Sequence, residues 1–85
     1  MDVWLVYNGS DAMYEKEDLA DIYSTKLKAV DGANKIMEDY SSMKDSWWEK
    51  ETETENEIVW RWCYLIKEKV RRTDSIIRIV RFDVN

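Results

Sequence analysis

The chain has 85 residues, 45% of them apolar, enough for one domain (1–85) with a single modest core, and this excludes wholesale disorder. Its net charge is −5, with no histidine, no proline and one cysteine, Cys63, so an internal disulfide is excluded and the commonest general base and metal ligand is missing. No apolar run approaches the ~20 residues of a membrane span, and a reducing cytoplasm is the expected location.

The first predicted element is a strand over Asp2–Tyr7, DVWLVY, apolar on both faces as in a central strand. Asn8-Gly9 follows, a dipeptide that favours turns because both residues tolerate positive φ. Ser10–Asp18 lacks strand alternation and reads as an acidic loop; Asp11, Glu15, Glu17 and Asp18 have neither the alternation nor the glycine of a calcium loop. A short strand is expected at Leu19–Tyr23.

A helix comes next, capped by Ser24 or Thr25. Leu27, Val30, Ala33, Ile36, Met37 and Tyr40 recur at helical steps and predict one apolar stripe. Gly32 interrupts it at a cost of roughly 1 kcal/mol against alanine, which close packing on the sheet would explain. Ser41-Ser42 is expected to fray the end.

Glu57–Val70 and Ser75–Val84 are both rich in β-formers, with Arg72-Thr73-Asp74 as the turn-like stretch between them. The pattern predicts a hairpin with Trp62 facing Val84, Tyr64 facing Phe82, Ile66 facing Val80 and Val70 facing Ile76, and Glu68 opposing Arg78. The fold expected is α+β, a small β-(β)-α-β-β with a three- to four-stranded, mainly antiparallel sheet and one helix packed on a face. A single helix covers little of such a sheet. The second face, carrying residues such as Trp4 or Ile79, is left open, and dimerisation is one way to cover it.

Ser46–Trp62 is the segment that folding explains least well. It holds Trp47, Trp48, Trp60 and Trp62 and alternates Glu49, Glu51, Glu53, Glu55 and Glu57. Trp60 and Trp62 are two apart in a strand and read as core. Trp47 and Trp48 are adjacent and diverge in strand or helix. Burying one indole removes ~150–250 Å² from water, an upper-bound gain of about 4–6 kcal/mol, so at least one should pack on the helix end while the other can anchor a partner. The glutamates read as a solvated loop. Extended, they would instead line up five carboxylates ~6.7 Å apart on one face, a charge line resembling a phosphate backbone and suited to a basic groove.

Charge divides along the chain, with net −9 over residues 1–57 and net +4 over 58–85. The halves can neutralise each other in the fold, or an acidic face can survive to attract a basic partner. The alternative site is the basic hairpin, where Lys67, Lys69, Arg71, Arg72 and Arg81 could contact nucleic acid. In the predicted register, Trp60, Trp62, Tyr64 and Phe82 lie on the face opposite those cations, so nucleic acid is the less favoured partner. Carboxylates are plentiful, but none comes with a nucleophile, a glycine-rich phosphate loop or metal-ligand spacing; no catalytic residue, cofactor or metal is expected. Cys63, inside a strand pattern, reads as a small buried hydrophobe.

VWLVY at the start, IYST leading into an alanine-bearing helix and RFDVN at the end resemble small α+β proteins of phages and mobile elements. Residues 3–7, 22–36 and 79–84 carry the match, and no functional motif comes with it. The acidic Ser46–Glu57 departs from that pattern. Phage inhibitors of host defence, anti-CRISPR proteins among them, or of host polymerases are often small, acidic and free of catalytic motifs. The resemblance thus implies a non-enzymatic inhibitor in the host cytoplasm. Its partner would be a basic surface of a host protein or nucleoprotein complex, met through Trp47, Trp48 and Glu49–Glu57. A small nucleic-acid-binding regulator and a self-assembling accessory subunit are the alternatives.

Overall fold

A computed structural model describes residues 1–9, 17–39 and 44–84. Five strands, β1 (Asp2–Gly9), β2 (Glu17–Tyr23), β3 (Ser46–Glu53), β4 (Glu57–Ile66) and β5 (Lys69–Asp83), surround one helix in chain order, α1 (Lys26–Glu38), between β2 and β3. They form one antiparallel sheet in the order β2-β1-β5-β4-β3. The α+β class is as expected, but the sheet has five strands where three to four were expected. The added strand is β3, drawn from the segment read as a solvated loop.

Helix α1 starts where Thr25, in extended backbone, accepts a hydrogen bond from the Lys28 N–H at 3.1 Å. Ala29, Ala33 and Met37, one helical face, are buried; Val30 and Ile36 flank them. Leu27 does not share that stripe and is 72% exposed. The small side chains of Ala29 and Ala33 set the line of closest approach, which leaves Leu27 to one side. Tyr40, Ser41-Ser42 and most of the Ser10–Asp18 loop lie outside the described residues. Gly32 is explained by packing: the Tyr23 phenol fills the space a Cβ would occupy. The core lies between α1 and one sheet face, with Val6, Ile58, Trp60, Ile77 and Ile79 below the helix and Trp4, Tyr23 and Trp48 at its rim.

Three local expectations are corrected. Asn8-Gly9 makes no turn; both residues continue β1, pairing Ile77 and Ile76 of β5, because the sheet supplies partners for their backbone. The β4–β5 turn is Lys67-Glu68, both at positive φ (49° and 65°), as a two-residue turn of the primed type requires. Neither residue signals such a turn. Arg72-Thr73-Asp74 instead lies within β5, where Thr73–Ser75 bulge opposite Trp62. The Thr73 hydroxyl donates to the Trp62 carbonyl at 2.8 Å and accepts from the Ser75 N–H at 3.1 Å, while Arg61 Nη1 donates to the Thr73 carbonyl at 2.7 Å. The predicted register falls with the turn. Ile58 pairs Ile79, Trp60 pairs Ile77, Tyr64 pairs Arg71 and Ile66 pairs Lys69.

Candidate interaction surfaces

Strand alternation sorts the acidic segment onto two faces. Trp48 pairs Trp62 on the helix side and packs against the core. Trp47, its neighbour, points to the opposite face beside Cys63 and is 38% exposed. One indole is structural and the other is available for contact. Trp60 is buried, as core, and Trp62 is half-buried.

The glutamates do not form one line. Glu49 and Glu51 lie on the face away from the helix, and a bulge between Lys50 and Thr52 then shifts the strand by one residue. Glu53 falls on the helix side, where Lys50 Nζ donates to it at 2.7 Å. Glu55 sits in the turn between β3 and β4, which the Thr54 hydroxyl holds by accepting from the Asn56 and Glu57 N–H groups at 3.3 and 3.0 Å. Glu57 opens β4.

Arginines from the basic half answer the acids. Arg72 Nε donates to Glu49 at 2.9 Å, Arg61 pairs with Glu51, and Arg78 reaches Glu57 at 3.4 Å. The Arg72 hydrogen bond holds the Glu49 carboxyl below its ordinary range, with the Cys63 thiol a second cause; the Lys50 hydrogen bond does the same for Glu53. Neutralisation within the fold is therefore what most of this segment's charge does. Cys63 is fully buried, and burial, then the Glu49 carboxylate 3.5 Å away, pushes its thiol pKa up.

Among the described residues, no element packs over the face away from α1. Its ion-pair belt over β3, β4 and β5 borders an apolar area of Val3, Leu5, Tyr7, Leu19, Ile22, Val80 and Phe82 across β2, β1 and β5. Leu19, Ile22 and Phe82 are each about half exposed. Trp4 and Ile79, expected on this face, are on the helix side instead, because the β1–β5 register places them with Val6 and Ile77.

Among the described residues, the helix side is incompletely covered. Two shallow clefts of about 430 and 420 Å³ flank α1, the first lined by Asn34, Met37, Glu38, Trp48 and Trp60, the second by Lys26, Leu27, Val30, Lys50, Glu53, Ile58 and Trp60. Beyond them the β4–β5 hairpin extends toward its turn. The five basic residues named from the sequence do not form one patch. Arg72 is occupied by Glu49, and Arg81, at the far end of β5, is held by Asp2 (Nε–Oδ2 2.9 Å) and Asn56 (3.2 Å). Lys67, Lys69 and Arg71 are exposed and make no ion pair among the described residues. Sequence reasoning missed Arg61 as the residue that ties Glu51, Asp74 and the Thr73 carbonyl together; an arginine inside an apolar strand pattern was the available signal.

Among the described residues, no helix is long and apolar enough to cross a membrane and no group of acidic residues and Cys63 could hold a metal ion. The chain matches no family model, no curated protein and no solved structure.

Proposed function

We propose that the chain is a non-enzymatic interaction protein that docks onto a protein partner through the bare sheet face, with Trp47 as an anchor at its edge. One observation carries this reading: Leu19, Ile22 and Phe82 are half exposed on a sheet face that α1 leaves uncovered. A contiguous apolar area of this kind is retained on small proteins where something binds it. The charges on the same face are paired internally, so a partner meets apolar surface and fixed Arg–Glu pairs rather than a free acidic line. This favours shape and apolar complementarity over mimicry of a phosphate backbone. In the phage-type setting that the sequence resemblance implies, the chain acts as an inhibitor by occupying such a surface on a host protein.

The test is affinity capture from host lysate with three proteins: the wild type, a Leu19→Lys/Ile22→Lys/Phe82→Lys variant and a Glu51→Lys/Glu53→Lys/Glu55→Lys variant, all checked for folding by circular dichroism. The bare-face variant should lose the partner that the other two retain. A partner kept by the bare-face variant and lost by the acidic-segment variant overturns this reading in favour of the charge line. Light scattering on the same proteins reports whether a second copy is the occupant.

A further inference from the structure

The hairpin register brings together groups that the pattern read from the sequence places on opposite faces. With the turn at Lys67-Glu68, Tyr64 is the direct cross-strand partner of Arg71, and Ile66 of Lys69. Cross-strand partners share a face. Trp62 lies two residues before Tyr64 on the same strand, and the two rings meet at 5.8 Å between centroids with a 38° tilt. Aromatics and cations therefore stand on one side of the hairpin, the helix side, outside the core that α1 covers.

We propose that Trp62, Tyr64, Arg71 and Lys69 form a platform for single-stranded nucleic acid. Unpaired bases present π-faces to aromatic side chains, while nearby cations meet the phosphates; binders without sequence preference combine these two elements. Lys69 and Arg71, alternate residues of β5, stand ~6.7 Å apart along the strand. Both are exposed, and neither is committed to a carboxylate among the described residues. Lys67 lies in the adjoining turn, and the Asp45 carbonyl accepts from the Leu65 N–H at 2.8 Å, which places Lys44 at the same end of the sheet. Over residues 44–46 and 64–71, four cations stand against two carboxylates, Asp45 and Glu68, in a chain whose net charge is −5. Glu49 is bound to Arg72 and lies on the opposite face, while Glu38, on the helix side, lines the cleft with Trp48 and Trp60. Exposed Leu65, Ile66 and Val70 at the tip would also suit an anionic membrane surface. The aromatic pair set back from the tip favours bases over lipid.

Fluorescence anisotropy with labelled oligo-dT and oligo-rU strands at low salt tests this. The wild type should bind saturably and weaken as salt rises. Lys69→Glu/Arg71→Glu should weaken binding at least tenfold and flatten the slope of log K against log salt by about 1.4, at ~0.7 per cation on a single strand. Tyr64→Ala should weaken it roughly five-fold or more with the slope unchanged. Lys28→Glu/Lys35→Glu, the same charge change on exposed positions of α1, should leave affinity unchanged. Absence of wild-type binding, or equal loss in the α1 control, overturns the proposal. So does co-sedimentation with phosphatidylglycerol vesicles without oligonucleotide binding, which assigns the tip to membranes. If Tyr64→Ala fails to fold, the two exposed cations still decide the outcome.

Discussion

The Tyr23 phenol lies directly over Gly32, where the first carbon of any side chain would stand. A strand residue and a mid-helix residue therefore set the distance between α1 and the β2 edge of the sheet. Alanine at position 32 should gain about 1 kcal/mol of helix propensity and lose more to overlap, which costs typically 1–3 kcal/mol in packed sites. Gly32→Ala should lower the urea midpoint. Tyr23→Leu in the same background should recover part of that loss, a non-additivity that a double-mutant cycle measures.

The β4–β5 turn holds two non-glycine residues at positive φ, a conformation costing about 1 kcal/mol or more for L-residues. Lys67→Asn/Glu68→Gly supplies the residues this turn prefers and should stabilise the protein by about 1 kcal/mol. An unchanged or lower urea midpoint would argue against a turn at these positions.

The bulge at Thr73–Ser75 depends on one hydroxyl that both donates and accepts. Thr73→Val, nearly isosteric, removes both bonds and should destabilise by about 1–2 kcal/mol. Thr73→Ser should retain most of the stability. A larger loss in Thr73→Ser than in Thr73→Val would instead assign the effect to the methyl group.

Acid should act through Glu49 and Glu53. Their folded pKa values are lowered, chiefly by hydrogen bonds from Arg72 and Lys50, so the unfolded chain takes up protons first as pH falls. The stabilisation is complete above the unfolded glutamate pKa of about 4.3 and is lost as pH drops through the lower folded values. The wild-type urea midpoint should fall across that window, and Glu49→Gln/Glu53→Gln should show a smaller fall.

Cys63 should resist alkylation. It is fully buried, and burial and Glu49 both raise its thiol pKa, so little thiolate forms at pH 8. Iodoacetamide should label it in urea and leave the native protein unmodified over the same time; rapid native labelling would contradict the packing around β4.

Sequence alone determined the elements whose own residues carry a periodic signal: the apolar β1, the helix capped at Ser24 or Thr25 with Ala33 and Met37 inward, the β-rich C-terminal third and the divergence of Trp47 from Trp48. Tertiary structure decided what depends on distant partners. A strand edge offered by β4 drew Ser46–Glu53 into the sheet, because Arg61 and Arg72 stand where Glu49 and Glu51 need counter-charge. The turn moved to Lys67-Glu68, since burying Ile58 and Trp60 against Ile79 and Ile77 outweighs the local cost of positive φ there. Ser46–Trp62 therefore owes its form to a register and to ion pairs spanning up to 23 residues, and neither can be read from the segment itself.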